Sequence, residues 1–269
     1  MKILYVTTFN EKIFNATGNK MINSFLSSGS EGDMLVCPEN FKFRLSSIKR
    51  VNSSPDLSKR FHVYDIAKSK FLKSWLSENN DVIHPEMGGA ATIKRSPGSF
   101  LPWNVRAAGW FRKIVSLDYA LNEYYDKYDC IIFVDSDCSW VGKIDSNLIE
   151  KAFAGTSFFY HWGREREKKM MGVESGFVGF RCDKDGTDWL TTWINKFRNK
   201  TFRMYMRWDD GGMLGYVVRE RADLTGSDLV KRYNDNGKSQ SHVIERGMFA
   251  KYIVHNKGVH KRVLGIKEK

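Results

Sequence analysis

The chain has 269 residues, 42% hydrophobic and 14% aromatic, with 43 Lys and Arg against 31 Asp and Glu for a net charge of +12 at pH 7. That length and apolar content suffice for one large α/β core or two modest ones and exclude a mainly unstructured chain. The long apolar runs, such as Ile131-Ile132-Phe133-Val134, are strand-sized and exclude a bilayer-spanning helix; the first ten residues lack a secretory pattern, so an intracellular, cytoplasmic protein is expected.

Ile3–Thr8 is a short β-rich run, followed by a polar Gly-containing loop and an amphipathic stretch at Lys20–Ser27 that puts Met21, Ile22, Phe25 and Leu26 on one face. Asp33–Cys37 and Arg60–Tyr64 repeat the strand signal and Ser69–Leu76 the helical one. Three prolines and a Gly-Gly between Asp81 and Pro102 predict a loop region. Trp110–Tyr125 has apolar residues at helical spacing and leads into Cys130-Ile131-Ile132-Phe133-Val134, a run that predicts a central strand buried on both faces. Further on come a helical pattern at Ser146–Ala152, an aromatic strand at Thr156–His161, a charged loop at Gly163–Lys169, a Gly-flanked tight turn at Glu174-Ser175-Gly176, and a helix at Asp188–Lys200. With no Pro/Gly/Ser linker and no internal repeat, this alternation predicts one α/β domain with a mainly parallel central sheet flanked by helices. The four cysteines, without a CxxC pair, read as reduced thiols belonging neither to a disulfide frame nor to a zinc site.

The central strand ends in Asp135-Ser136-Asp137, where an open α/β sheet gathers its ligands. Two carboxylates at i and i+2 reach one hard cation if the chain turns there, although a solvated turn after a strand also uses aspartate. They fall in residues 101–150, where acid outnumbers base, whereas residues 151–269 carry a surplus of base. A carboxylate cluster in a basic protein suits a cation site beside a polyanion site.

With this DxD, and with His255-Asn256-Lys257-Gly258-Val259-His260-Lys261 near the C-terminus, the chain resembles the metal-dependent GT-A glycosyltransferases, and the second motif looks like the H-x-x-G-x-x-K of the glycogenin-like members. The resemblance covers residues 1–10 and 105–262. It implies a single GT-A, Rossmann-like domain over 1–269, with a nucleotide-binding half (1–140) and an acceptor-binding half (141–269) that carries the metal- and diphosphate-binding segment. It implies that Asp137 and His255 bind the metal, Asp135 bridges metal and ribose, and Lys261 meets the diphosphate. Thr7 and Thr8, at the end of the first strand, and Arg112 or Lys113, on the helix before the DxD strand, fall where the family binds its donor. Glu174 and the pair Asp209-Asp210 fall where it faces the transferred sugar; Asp210 is the favoured catalytic carboxylate, because Asp209 is better placed to cap the following helix. A neutral imidazole favours Mn²⁺ over Mg²⁺. Pro-Trp, which often follows the family's second motif, is replaced by Arg262-Val263.

Aromatic and basic residues interleave at Trp162–Lys169 and again at Lys196–Trp208. Trp162, Arg203, Arg207 and Trp208 are therefore the candidate acceptor contacts, and a hydroxymethylated pyrimidine in DNA is the first candidate acceptor, ahead of a surface polysaccharide or glycoprotein. Two rival readings remain: a basic nucleic-acid-binding module without catalysis, and a nucleotidyltransferase, which leaves the His/Gly/Lys motif unexplained.

Overall fold

Along β1 (Ile3–Asn10), Ile3 and Tyr5 pack into one core and Leu4 and Val6 into another. The alternation arises because successive side chains of a strand leave on opposite faces, so a strand with helices on both sides is apolar throughout. The computed structural model describes residues 1–79, 107–162, 172–205, 208–221, 223–232, 244 and 247–256. The expected loops at 81–102 and 163–169 lie outside them.

A one-turn helix (Glu11–Ile13), capped by Asn10, and a π-helical turn (Phe14–Gly18) lead into α1 (Asn19–Ser28). Then follow β2 (Asp33–Glu39), β3 (Phe61–Val63) and α2 (Lys70–Glu78), whose N-cap Ser69 accepts from the Leu72 N–H. The long helix α3 (Ala107–Tyr124) starts earlier than the apolar periodicity suggests. It buries Phe111, Ile114, Leu117 and Ala120 and feeds β4 (Cys130–Val134), buried at every position as expected. After β5 (Cys138–Trp140) come α4 (Ser146–Phe153), β6 (Phe158–Trp162), β7 (Val173–Arg181), α5 (Lys184–Arg198), α6 (Asp210–Glu220), β8 (Ser227–Asp228) and β9 (Ile253–His255). Helix α5 begins before the predicted Asp188 because Asp183 accepts from the Gly186 N–H and caps an extra polar turn.

Among the described residues the main sheet has the order β3-β2-β1-β4-β7-β6-β8, and β5 and β9 form a separate antiparallel pair. Strands β1 to β4 run parallel, β6 and β8 share their direction, and β7 alone is reversed, so the sheet is mixed and mostly parallel. Helices α2, α3, α5 and α6 cover one face; α1, α4 and β5 cover the other.

Glu174-Ser175-Gly176 lies inside β7, so the predicted tight turn is corrected to a strand. Between Glu174 and Gly179 its pairing with β6 carries a bulge-like irregularity. Strand β7 keeps an unbroken register with β4, whereas on its other side the pairing jumps from Phe159↔Gly179 to His161↔Glu174. Such irregularities re-aim side chains at a sheet's rim. Gly179 must stay small: a Cβ there would stand 2.2 Å from the Phe159 ring.

Candidate active site

Neighbouring β1 connects onward to β2 on one side, while β4 pairs with its other edge, so a crevice opens at their carboxyl ends. Asp135 stands there. Its N–H donates to the Gly176 carbonyl at 2.9 Å, extending the β4–β7 ladder by one bond, and its own carbonyl accepts from the Cys138 N–H at 3.0 Å, closing the turn into β5. Strand β5 then pairs with β9, setting Cys138 opposite His255. This pairing brings the DxD and the His of the second motif together: His255 Nε2 lies 2.9 Å from Asp137 Oδ1. Asn256, unremarked in the sequence, locks the junction through its N–H and its Nδ2, both donating to the Asp137 carbonyl at 2.9 and 3.0 Å. Burial pulls the His255 imidazole toward neutrality, but the bond to Asp137 outweighs it and the group titrates above the usual histidine value.

Lys113 of α3 is buried, and its ammonium sits 3.0 Å from Asp135 Oδ1 and against Asp210 Oδ2. It also donates to Ser175 Oγ at 3.0 Å and to the Ser175 carbonyl at 3.1 Å, and it lies 4.4 Å above the Phe133 ring. Ser175 Oγ in turn donates to Asp210 Oδ2 at 2.7 Å. Desolvation works against the ammonium; the two carboxylates overcome it and hold Lys113 charged, above the normal lysine range. Burial pushes the Asp135 carboxyl up, and neighbouring Asp137 and Asp210 add to this against the opposing pull of Lys113.

Asp209 is the N-cap of α6, its Oδ1 accepting from the Gly212 N–H at 2.9 Å. Asp210 occupies the first turn and faces inward to Lys113. Glu174 is half-buried, and its Oε1 accepts from the Gly176 N–H at 3.2 Å. The lack of a side chain at Gly176 keeps the centre open. A Cβ there would lie 2.8 Å from Asp135 Oδ2, 3.1 Å from Glu174 Oε1 and 3.3 Å from His255 Cε1.

Among the described residues, Asp137, Cys138 and His255 offer ligand atoms all within 4.8 Å of one another. Carboxylate, imidazole and thiol are donors that fit a divalent cation, and the group borders the space beside Asp135 and Glu174 that the absent Gly176 side chain leaves. All four cysteines are free thiols, as the sequence predicts, and Cys138 stands beside an adjacent aspartate and a histidine far along the chain.

The remaining sequence candidates divide. Arg112 forms a two-pronged pair with Glu39 at the end of β2, Nε standing 2.9 Å from both carboxylate oxygens. Thr7 is fully buried, and its hydroxyl has no hydrogen-bond partner among the described residues; Thr8 Oγ1 donates to the Cys37 carbonyl at 2.8 Å. Trp162 ends β6 under the Arg219 guanidinium. Arg203 donates to Asn79 Oδ1 at 2.8 Å and lies over the Phe202 and Trp208 rings, while Trp208 Nε1 donates to the Tyr205 carbonyl at 2.8 Å. Arg207 and Lys261, with the Gly258 end of the second motif, lie outside the described residues.

No protein-family model and no curated protein sequence matches the chain. Its structure is similar to that of mouse xyloside xylosyltransferase 1 in the apo form, with a TM-score of 0.50 at 12% identity over 96% of this chain and 98% of that one. That similarity assigns the α/β architecture to the GT-A fold. Two further glycosyltransferase structures align less well. The bifunctional WbbM gives 0.46 at 10% identity over 80% of this chain and 37% of that one. GlyE of Streptococcus pneumoniae TIGR4 gives 0.49 at 12% identity over 87% and 46%.

Proposed function

We propose that the chain is a metal-dependent glycosyltransferase that moves a hexosyl or pentosyl group from a nucleotide-diphosphate sugar to an acceptor hydroxyl. One observation carries the reading: the β5–β9 pairing sets His255 against Asp137 at the carboxyl end of β4, uniting two sequence-distant motifs at the crevice where an open α/β sheet binds its ligand. In the transfer, the bond from the anomeric carbon to the donor's phosphate oxygen breaks and a bond from that carbon to the acceptor oxygen forms, with the acceptor proton passing to a base. Bound by Asp137 and His255, with Asp135 alongside, Mn²⁺ or Mg²⁺ would stabilise the charge growing on the departing diphosphate. Lys261 would add a cation toward the diphosphate, Arg112 and Thr8 at the ends of α3 and β1 would lie toward the donor's nucleoside end, and Lys113 would orient Asp135 and Asp210 through its contacts with both. Asp210 is our candidate for the carboxylate facing the transferred sugar, with Glu174 next, because Asp209 already caps α6.

For the acceptor, internal pairing of the basic run favours a carbohydrate hydroxyl, in a polysaccharide or glycoprotein, over a hydroxymethylated pyrimidine in DNA. Lys196 pairs with Glu220, Arg198 with Asp118 and Lys200 with Glu78, and Arg203 is held by Asn79. A carboxylate beside each of the three paired cations partly offsets the positive field that a phosphate backbone would meet. Trp162 and Trp208 remain surfaces on which a sugar ring could stack.

Thermal unfolding with nucleoside diphosphates, with and without Mn²⁺, tests the assignment, since a ligand specific for the folded state raises the midpoint by mass action. Manganese-dependent stabilisation is expected in the wild type and should vanish in Asp137→Ala and His255→Ala. Unchanged Mn²⁺-dependent stabilisation in both variants would sink the ligand assignment.

A further inference from the structure

Cys138 belongs to the cation group geometrically, yet the activity proposed above makes no use of it. Its side chain is fully buried and immediately follows Asp137 in the chain. Because it stands directly opposite His255 in the antiparallel β5–β9 pair, the two side chains emerge on one face. Its thiol has a weak contact, 3.7 Å to the Gly176 carbonyl, and that glycine is the residue whose missing side chain keeps the centre open. The sulfur, an Asp137 oxygen and a His255 ring nitrogen already lie within 4.8 Å of one another. Around a tetrahedral Zn²⁺, ligand atoms at about 2.0–2.3 Å from the ion stand roughly 3.3–3.8 Å apart, so modest side-chain shifts would close the group.

We infer that Cys138 is a metal ligand, and that Asp137, Cys138 and His255 form a mixed oxygen, sulfur and nitrogen centre that selects a borderline divalent cation of the Zn²⁺ type over Mn²⁺. The inference rests on the reading of Asp137 and His255 as cation ligands and deepens it by naming the cation class. On binding, the sulfur–hydrogen bond is exchanged for a sulfur–metal bond, the proton leaves to solvent, and no electron is transferred. The thiolate and the Asp137 carboxylate together balance the charge of the ion. Three protein ligands with a fourth position open is the composition of catalytic zinc sites, whereas a hard cation such as Mn²⁺ gains little from sulfur.

Cobalt(II) added to the reduced, metal-free full chain reads the ligand directly, because sulfur-to-cobalt charge transfer gives an intense near-ultraviolet band that oxygen and nitrogen ligands do not. We expect that band in the wild type and its loss in Cys138→Ser. Loss in His255→Ala is also expected, although that variant keeps all four thiols, so the result stands even if the serine variant fails to fold. By calorimetry, Cys138→Ser should weaken Zn²⁺ by at least the roughly 10–100-fold that loss of a ligand's outer hydrogen-bond partner alone produces, and Mn²⁺ by less than about threefold. Cobalt bound without the band, or equal losses for Zn²⁺ and Mn²⁺, would overturn the inference. Mn²⁺-dependent nucleoside diphosphate binding that persists alongside such a result would leave the proposed activity standing. Absence of any divalent-cation binding would remove both.

Discussion

Lys113 joins the end of β4, the start of α6 and the bulge of β7 through one ammonium. A buried ammonium between two carboxylates gains little net stability over an apolar replacement of the whole group, but removing it alone strands Asp135 and Asp210 without a counter-charge. Lys113→Met should therefore cost about 3–5 kcal/mol in urea unfolding, and adding Asp210→Asn should recover part of that loss. Equal stability of Lys113→Met and wild type would show that the ammonium is not the hub of the network. The same hub bears on chemistry. Asp210→Asn keeps the shape of the side chain and its contact with Ser175 while removing its charge, so donor binding should survive as most turnover is lost. Near-normal turnover would pass the role to Glu174, the half-buried carboxylate beside Gly176.

Two adjacent aspartates begin α6, and the helix itself assigns them different tasks. Asp209 satisfies one of the N–H groups that every helix start leaves without an intrahelical partner, so Asp209→Ala should cost about 0.5–2 kcal/mol, whereas Asp209→Asn, itself a good cap, should cost much less. Chemical denaturation of both variants checks this. If the Asn variant were as active and stable as wild type while Asp210→Asn were inactive, the division of labour would be established. The bulge in β7 is the corresponding device in the sheet: it keeps Phe177 to Arg181 in step with β4 and releases Glu174 to Gly176 toward the centre. Alternation along the strand sends Ser175 to Lys113 and Glu174 to the opposite face, and the irregularity shifts only the pairing with β6.

At the scale of the whole molecule, the charge of +12 has to be divided between cations facing solvent and cations consumed inside the structure. Arg203 is of the second kind, sitting across two aromatic rings and bonded to Asn79. Arg203→Ala should accordingly lower stability by about 1–3 kcal/mol through the lost bonds and ring contacts, and leave the salt dependence of any DNA binding unchanged. Binding to duplex and single-stranded DNA over a salt series, with labelled-sugar transfer to DNA carrying hydroxymethylated pyrimidines, checks the second part. A logarithmic salt slope that falls by about one in the variant, accompanied by transfer, would make DNA the acceptor.

What the sequence determined by itself was local and periodic. The unbroken apolar run of β4 announces a strand buried on both faces, the spacing in α3 announces the helix packed on it, and Asp135-Ser136-Asp137 marks the strand end where a ligand belongs. Caps such as Asp209 were legible for the same reason, since a cap acts within three residues of its own position. Tertiary structure decided which distant groups meet. The resemblance linked His255 to Asp137, but local pattern around Cys138 does not show the β5–β9 pairing that joins them, because it depends on the chain returning to add β9 beside β5. Nothing in the α3 pattern distinguishes Lys113 from a solvated surface cation, because its fate depends on Asp210 and Ser175 arriving from other elements. The bulge in β7 escaped the pattern because glycines flanking a polar pair fit a turn as well as a bulge, and pairing on both sides selects between them. The basic run before α6 reads in sequence as a row of cations, and folding sets Glu220, Asp118 and Glu78 beside Lys196, Arg198 and Lys200. Charge is visible in sequence, but its availability depends on the neighbours that folding supplies.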